Sequence, residues 1–231
     1  MFQSIVHEFG PITLVGGGSA SVEDLTHALS MAPTCVAVDG GLVLALEAGV
    51  MPAAVIGDMD SAPDDAIAQI PSDRFHKIPE QNSTDFDKAL RSVTTPLVVA
   101  VGFTGLRIDH QLASFHTLLV RQDQPCILLG ENEIVMLAPR HITLPTQAGD
   151  VISLFPLLPV TGRSSGLEWP IDGLAFDPAK TSGTSNRATG EVALWMDAPG
   201  MLLIAPRSLL AAAVQALSLS ASQASRWPVR A

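Results

Sequence analysis

Two textures in the sequence predict the fold class, an α/β domain with a parallel sheet followed by an all-β sandwich. Over the first half, short apolar runs end in loops rich in Gly and Asp, and a helical segment follows each, five times in succession. Beyond about Gln124, β-type runs follow one another with no room for crossover helices. The third observation is where the polar residues fall. In the first half they gather in the loops after the strands, the edge at which open parallel sheets bind ligands.

Composition sets the outer limits. With 231 residues and 47% apolar content the chain can bury the core of one large domain or two small ones. A net charge of −10 excludes broad contact with a nucleic-acid backbone, which needs a basic face. A single phosphorylated small molecule stays compatible, because a metal ion and a few cations neutralise it locally. Cys35 and Cys126 sit in apolar strand-like runs and read as buried free thiols of a reducing cytosol. The start, Met1 to Glu8, lacks the basic beginning and long apolar run of a signal peptide. The uncharged stretch Ser208 to Ser225 is too rich in Ser and Gln to span a membrane and reads as a packed helix. The expected location is the cytoplasm, with no membrane or nucleic-acid partner.

The elements follow in order. Ile12 to Val15 is a strand, Gly16-Gly17-Gly18-Ser19 a loop, and Ser21 with Glu23 and Asp24 opens a helix. Such a loop can offer N–H groups to a phosphate or serve as a tight turn, and it lacks the full dinucleotide spacing. Cys35 to Val38 leads into Asp39-Gly40-Gly41 and a helix from Leu42 to Ala48, stopped by Gly49. Ala54 to Ile56 leads into Gly57-Asp58-Met59-Asp60. In an extended segment the period of two points Asp58 and Asp60 the same way. Two like charges side by side are tolerated best with a cation between them or water around them. The stretch therefore reads as a magnesium site, or as a solvated turn before a helix from Pro63 to Ile70 with Asp64 and Asp65 in its first turn.

Arg74 to Ile78 is the fourth strand, running into Pro79-Glu80-Gln81-Asn82-Ser83-Thr84-Asp85-Phe86-Asp87-Lys88. Thr84 and Asp87 have the spacing of a helix cap, and Lys88 one turn after Asp85 fits a helical ion pair. Leu97 to Val101 is the fifth strand, followed by a loop with Arg107 and Asp109 and a helix through Leu119. In the second half the strand-like runs are Ile127 to Leu129, Ile134 to Leu137, His141 to Leu144, Val151 to Phe155, Glu191 to Met196 and Met201 to Ala205. Between them lie Gly166-Leu167-Glu168-Trp169-Pro170 and the polar segment Thr181 to Asn186. These read either as a core or domain-interface aromatic with a flexible loop, or as an aromatic platform with hydroxyl and amide groups that recognise a ring. Expected domains are 1–124, α/β; 125–206, β-sandwich; and 207–231, a helical C-terminal extension with Leu210, Val214 and Leu217 on one face.

Taken together, Asp39-Gly40-Gly41, Gly57-Asp58-Met59-Asp60-Ser61, Ser83-Thr84-Asp85 with Lys88, Arg107-Ile108-Asp109-His110, Gly166-Leu167-Glu168-Trp169-Pro170 and Ser185-Asn186 resemble the thiamine pyrophosphokinase family. The resemblance implies transfer of the pyrophosphoryl group of ATP to the hydroxyl of thiamine. It implies that Asp58, Asp60 and Asp85 hold Mg²⁺ and through it the ATP phosphates, with Asp39 and Gly40 on the same edge. Lys88 and Arg107 are the expected cations for the phosphate charge, and Arg107 and Asp109 members of the nucleotide and substrate pocket. Trp169 would stack on thiamine, with Ser185 and Asn186 making polar contacts to it. It also implies a homodimer whose active sites join the α/β domain of one subunit to the sandwich of the other. The general base stays open between Asp85 and Asp39. Two positions depart from the family pattern: Asn82 where an aspartate is more usual, and Leu106 in place of a second glycine. The residues alone also admit another Mg²⁺-dependent phosphotransferase or phosphohydrolase, or a non-catalytic nucleotide or thiamine binder.

Overall fold

The computed structural model describes residues 4–219 and 226–230. Among them strands predominate over helices. The chain divides into two units, residues 1–117 with 128–131, and residues 118–127 with 132–231.

In the first unit the elements are β1 (Val6–His7), β2 (Ile12–Val15), α1 (Val22–Met31), β3 (Thr34–Val38), α2 (Gly41–Glu47), β4 (Ala54–Gly57), α3 (Asp64–Ile67), β5 (Phe75–Lys77), α4 (Asp85–Arg91), β6 (Val93–Thr94), β7 (Val98–Val101) and the larger part of α5 (Ile108–Val120). The sheet runs β7-β2-β3-β4-β5 with every pair parallel. Every residue of β2, β4 and β7 is buried. Such unbroken apolar runs suit a sheet covered on both faces. β1 and β6 form a small parallel pair of their own, which no sequence pattern announces. Ser21 opens α1 with a reciprocal cap, its hydroxyl accepting from Asp24 N–H and the Asp24 carboxylate from Ser21 N–H. The expected helix from Pro63 to Ile70 is shorter, one turn over Asp64–Ile67, with Pro63 at its cap. Leu25, Leu42, Val55, Ala66 and Ile70 share one apolar cluster under α1, α2 and α3.

The glycine loop after β2 is a packing joint. Gly16, Gly18 and Ser19 donate their N–H groups to the carbonyls of Val101, Gly102 and Thr104, so these donors are not on offer to a phosphate. A Cβ at Gly18 would stand 2.5 Å from Gly102 O, which accounts for the glycine.

The second unit holds β9 (Glu133–Leu137), β10 (His141–Leu144), β11 (Val151–Pro156), β12 (Gly162–Leu167), β13 (Gly183–Met196), β14 (Met201–Pro206) and α6 (Leu210–Leu219), while β8 (Cys126–Leu129) and the end of α5 give residues to both units. Its pairings are antiparallel: β9 with β14, β14 with β11, and β11 with the first part of β13. The second part of β13 lies between β10 and β12. Burial alternates along β11, the pattern of a strand with one covered face.

Two expectations change here. Gly183 to Asn186, one reading of which is a flexible loop, opens β13, because β11 supplies a partner for its backbone. β12 is a strand although Gly-Arg-Ser-Ser-Gly-Leu carries no apolar alternation; its pairing with β13 overrides local preference. At the C-terminus Leu210, Val214 and Leu217 are buried on α6, as their spacing predicts. Positions 220–225 of the expected helix lie outside the described residues. No helix among the described residues is long and apolar enough to cross a membrane. Trp227 closes the unit, its indole N–H donating to Ala138 O at 2.8 Å with the Arg140 guanidinium 5.1 Å from its ring.

Gly41 opens α2 where a Cβ would lie 2.0 Å from Val15 O. Gly41→Ala is therefore expected to lower stability by about 3 kcal/mol or more, read as the urea midpoint, because the obstacle is backbone.

Candidate functional site

Because β3, β4 and β5 are parallel, the chain segments that follow them reach the same edge of the sheet. That edge is built around a cation. Lys88 lies on α4 with its side chain 1% exposed, and its Nζ donates to Asp58 Oδ2 at 3.2 Å and to Asp85 Oδ1 at 2.9 Å. The expected helical pair with Asp85 thus exists, and a second carboxylate from another loop joins it. Asp58 N–H also donates to Asp85 Oδ1 at 3.3 Å, and Gln81 Nε2 to Asp58 Oδ2 at 3.1 Å. Burial pushes the Asp58 carboxyl up, but the bonds from Lys88 and Gln81 outweigh it and hold the group below its ordinary value. For Asp85 burial prevails, helped by the charges of Asp58 and Asp39, and its carboxyl lies above the ordinary value despite Lys88. Burial pulls the Lys88 ammonium down, yet its two carboxylate partners raise it overall.

Asp39, Asp58 and Asp60 bring one carboxylate oxygen each to within 4.8 Å of one another. Asp58 and Asp60 converge, but not through an extended backbone. Met59 between them is left-handed at φ +67°, and Asp60 N–H turns back onto Asp58 Oδ1 at 3.4 Å. Asp39 is likewise left-handed, φ +47°, and its N–H donates to Ile56 O. Its carboxylate accepts from Ser61 N–H at 3.3 Å, while Ser61 Oγ donates to Asp60 at 2.9 Å. Gly40, the cap of α2, lies against Ser61. Three carboxylates offer oxygen donors that suit a hard divalent cation, one or two of them with waters and phosphates being the usual share for Mg²⁺.

The loop before α4 is tied down by Glu80. Its carboxylate accepts from Ser83 Oγ, from Asn82 N–H at 2.8 Å and from Arg91 at 2.6 Å, and Arg91 also approaches Asp87 at 3.7 Å. The bonds from Ser83 and Asn82, and then Arg91, hold the Glu80 carboxyl down at about 2. Thr84 caps the helix through Asp87 N–H, as predicted. Gln81, Glu80 and Ser61 are site-building residues that sequence reasoning missed. Ser61 was legible inside its motif; Gln81 and Glu80 carry no local signal.

Arg107, just before α5, and Asp109, in its first turn, pair with each other at 2.6 Å, both exposed. Leu106, the departure from glycine, holds the left-handed conformation a glycine would favour, φ +50°, with its side chain 80% exposed.

In the second unit Trp169 is 54% exposed, which removes the core-aromatic reading. Asn186 is buried and spends its amide on the Trp169 main chain: Oδ1 accepts from Trp169 N–H at 3.2 Å and Nδ2 donates to Trp169 O at 2.7 Å. Ser185 is left-handed, φ +63°, and exposed.

A parallel sheet with an acidic, cation-centred edge is an arrangement that suits phosphate-group transfer. Residues 25–129 match the family model "Thiamin pyrophosphokinase, catalytic domain". The chain is a kinase, and its segment 25–129 is similar to the thiamin pyrophosphokinase family. Its fold is similar to that of thiamin pyrophosphokinase from Candida albicans, with a TM-score of 0.71 at 15% identity over 89% of this chain and 93% of that one. The enzyme from Geobacillus thermodenitrificans gives 0.70 at 24% identity over 85% and 96%, and that from Bacillus subtilis 0.69 at 21% over 85% and 98%. Among curated proteins no relative is found.

The lowered Glu80 carboxyl contributes stability that is present above its unfolded value of 4.5 and fades as pH falls towards 2. Glu80→Gln is thus expected to unfold at a lower urea concentration than the parent at pH 7, with the gap closing as the pH drops below 4.5. A gap that stays constant would show that the clasp adds nothing through its charge.

Proposed function

We propose that this chain is a thiamin pyrophosphokinase that moves the pyrophosphoryl group of ATP onto the hydroxyl of thiamine, giving thiamine diphosphate and AMP, in the cytoplasm. The observation that carries the placement of the reaction is the convergence of Asp39, Asp58 and Asp60, with Lys88 and Asp85 beside them. In the reaction the thiamine hydroxyl oxygen forms a bond to the β-phosphorus, the bond from that phosphorus to the oxygen bridging it to the α-phosphorus breaks, and AMP departs with the electron pair. The hydroxyl proton must leave in the same event. Asp85 and Asp39 are the two candidate bases for it, Asp85 lying 2.9 Å from Lys88 Nζ.

Asp58 and Asp60 are the centre of the proposed Mg²⁺ set and Asp39 completes the convergent group. Asp85 lies one ammonium away and joins the set if Lys88 Nζ turns from it. A magnesium ion there would neutralise charge on the phosphate oxygens. The chain's own contribution is placement: Lys88 fixes two of the carboxylates against each other, Ser61 fixes the other two, and Arg107 stands exposed for a phosphate. Thiamine carries a positive thiazolium ring, which an acidic edge and the exposed face of Trp169 both favour. We further propose that the N-terminal part forms an α/β domain and the C-terminal part a β-sandwich, with the chain acting as a homodimer whose active sites lie at the subunit interface. The family match favours this reading over a different alcohol acceptor or a binder without turnover.

The direct test incubates the purified protein with ATP, Mg²⁺ and thiamine and separates the products. AMP and thiamine diphosphate in equal amounts are expected; ADP with thiamine monophosphate would overturn pyrophosphoryl transfer. Asp58→Asn and Asp60→Asn are each expected to lower kcat/KM by about 100-fold or more, and chelation of the metal to stop turnover. Full turnover by Asp60→Asn while Mg²⁺ is still required would remove Asp60 from the metal set.

A further inference from the structure

We propose that Asn186 is a positioning residue that acts through Trp169, holding the indole in place for the substrate rather than touching the substrate itself. The kinetic part of this proposal rests on the reading of Trp169 as the platform for thiamine; the structural part does not.

The argument begins with hydrogen-bond capacity. An asparagine amide has two acceptor positions on its oxygen and two N–H donors. Asn186 Oδ1 accepts from Trp169 N–H at 3.2 Å and from Arg187 N–H at 2.8 Å, and Nδ2 donates to Trp169 O at 2.7 Å. Both acceptor positions and one donor are therefore committed, and only one orientation of the amide satisfies all three bonds. The residue is 6% exposed, against 54% for Trp169. One side chain thus satisfies both main-chain groups of the tryptophan, and Glu168 N–H is tied in addition to Arg187 O at 2.8 Å. What remains free in Trp169 is its side chain, standing on a backbone that can no longer turn.

The strand is deformed to achieve this. Between Ile152↔Asn186 and Leu154↔Gly183 the register of β11 on β13 shifts, so that Thr184 and Ser185 together stand opposite Ser153. Ser185 is left-handed at the bulge, and its N–H donates to Ser153 Oγ at 2.9 Å. Thr184 and Ser185 are consequently both exposed, and the in-and-out alternation restarts with Asn186 facing inwards. A non-glycine residue in this conformation is strained. The bulge that carries this strain also turns Asn186 towards Trp169. Ordering the platform before the ligand arrives lowers the entropy lost on binding.

The test uses full-length protein labelled with 5-fluorotryptophan, whose three indoles, Trp169, Trp195 and Trp227, are followed by fluorine NMR without ligand; Trp169→Phe assigns the first. Asn186→Ala is expected to shift and sharpen the Trp169 signal alone. An unchanged Trp169 signal would overturn the proposal. Asn186→Asp keeps both acceptor positions and loses the donor to Trp169 O, and it provides the same readout should the alanine variant not fold. In kinetics, Asn186→Ala is expected to raise the KM for thiamine about tenfold with kcat within twofold, and to add nothing on a Trp169→Ala background. An equal rise on that background would mean direct contact and defeat the proposal. If Trp169→Ala itself leaves that KM unchanged, the platform reading fails, while the fluorine signal still decides whether Asn186 holds the tryptophan.

Discussion

A single ammonium group, Lys88 Nζ, lets the acidic edge exist. Asp39, Asp58 with Asp60, and Asp85 arrive there from two loops and the start of α4, and Lys88 offsets the repulsion between Asp58 and Asp85. The lysine comes from the first turns of α4, where Thr84 fixes the start of the helix and Phe86 is buried and packs on Phe103. An interior ion pair of this kind is a weak source of net stability, since desolvating the charges offsets most of their attraction. Its effect is geometric: it holds the segment after β4 to the start of α4.

Around that centre the polar groups are arranged in tiers. Ser61 and Gln81 hold the carboxylates from outside, and Glu80 with Arg91 holds the loop that brings Gln81 and Asp85 in. The second unit repeats this logic with neutral groups, as Asn186 holds Trp169. In the second unit the indole is exposed and the amide that fixes it is covered, whereas at the acidic edge Lys88 is covered and Ser61 and Gln81 are exposed. Phosphoryl chemistry asks for little else, because most of its acceleration comes from placement and charge neutralisation.

Much of this was legible in the sequence, for identifiable reasons. The five strands of the parallel sheet and the edge beyond them followed from apolar runs ending in Gly and Asp, and the caps at Ser21 and Thr84 from local spacing. Asp58 and Asp60 were found as a pair, although the period-two argument named the wrong geometry and a left-handed Met59 brings them together. The depth of Lys88 was not legible, because burial of a charge depends on partners distant in the chain. The same holds for β12, a strand only by virtue of β13, and for Asn186, whose motif suggested a ligand contact while its bonds go to a residue seventeen positions away.

Asp39, Met59, Leu106 and Ser185 are non-glycine residues in the left-handed region, and each belongs to a segment that the family resemblance had marked. Glycine would hold each of these bends with less strain. The consequence bears on protein engineering. A campaign for heat resistance guided by backbone relaxation alone would rank these four positions highly, yet at Asp39 it would erase the carboxylate that Ser61 holds. Endurance and turnover therefore draw on the same positions, and the sites most open to improvement in one are those least free to change in the other.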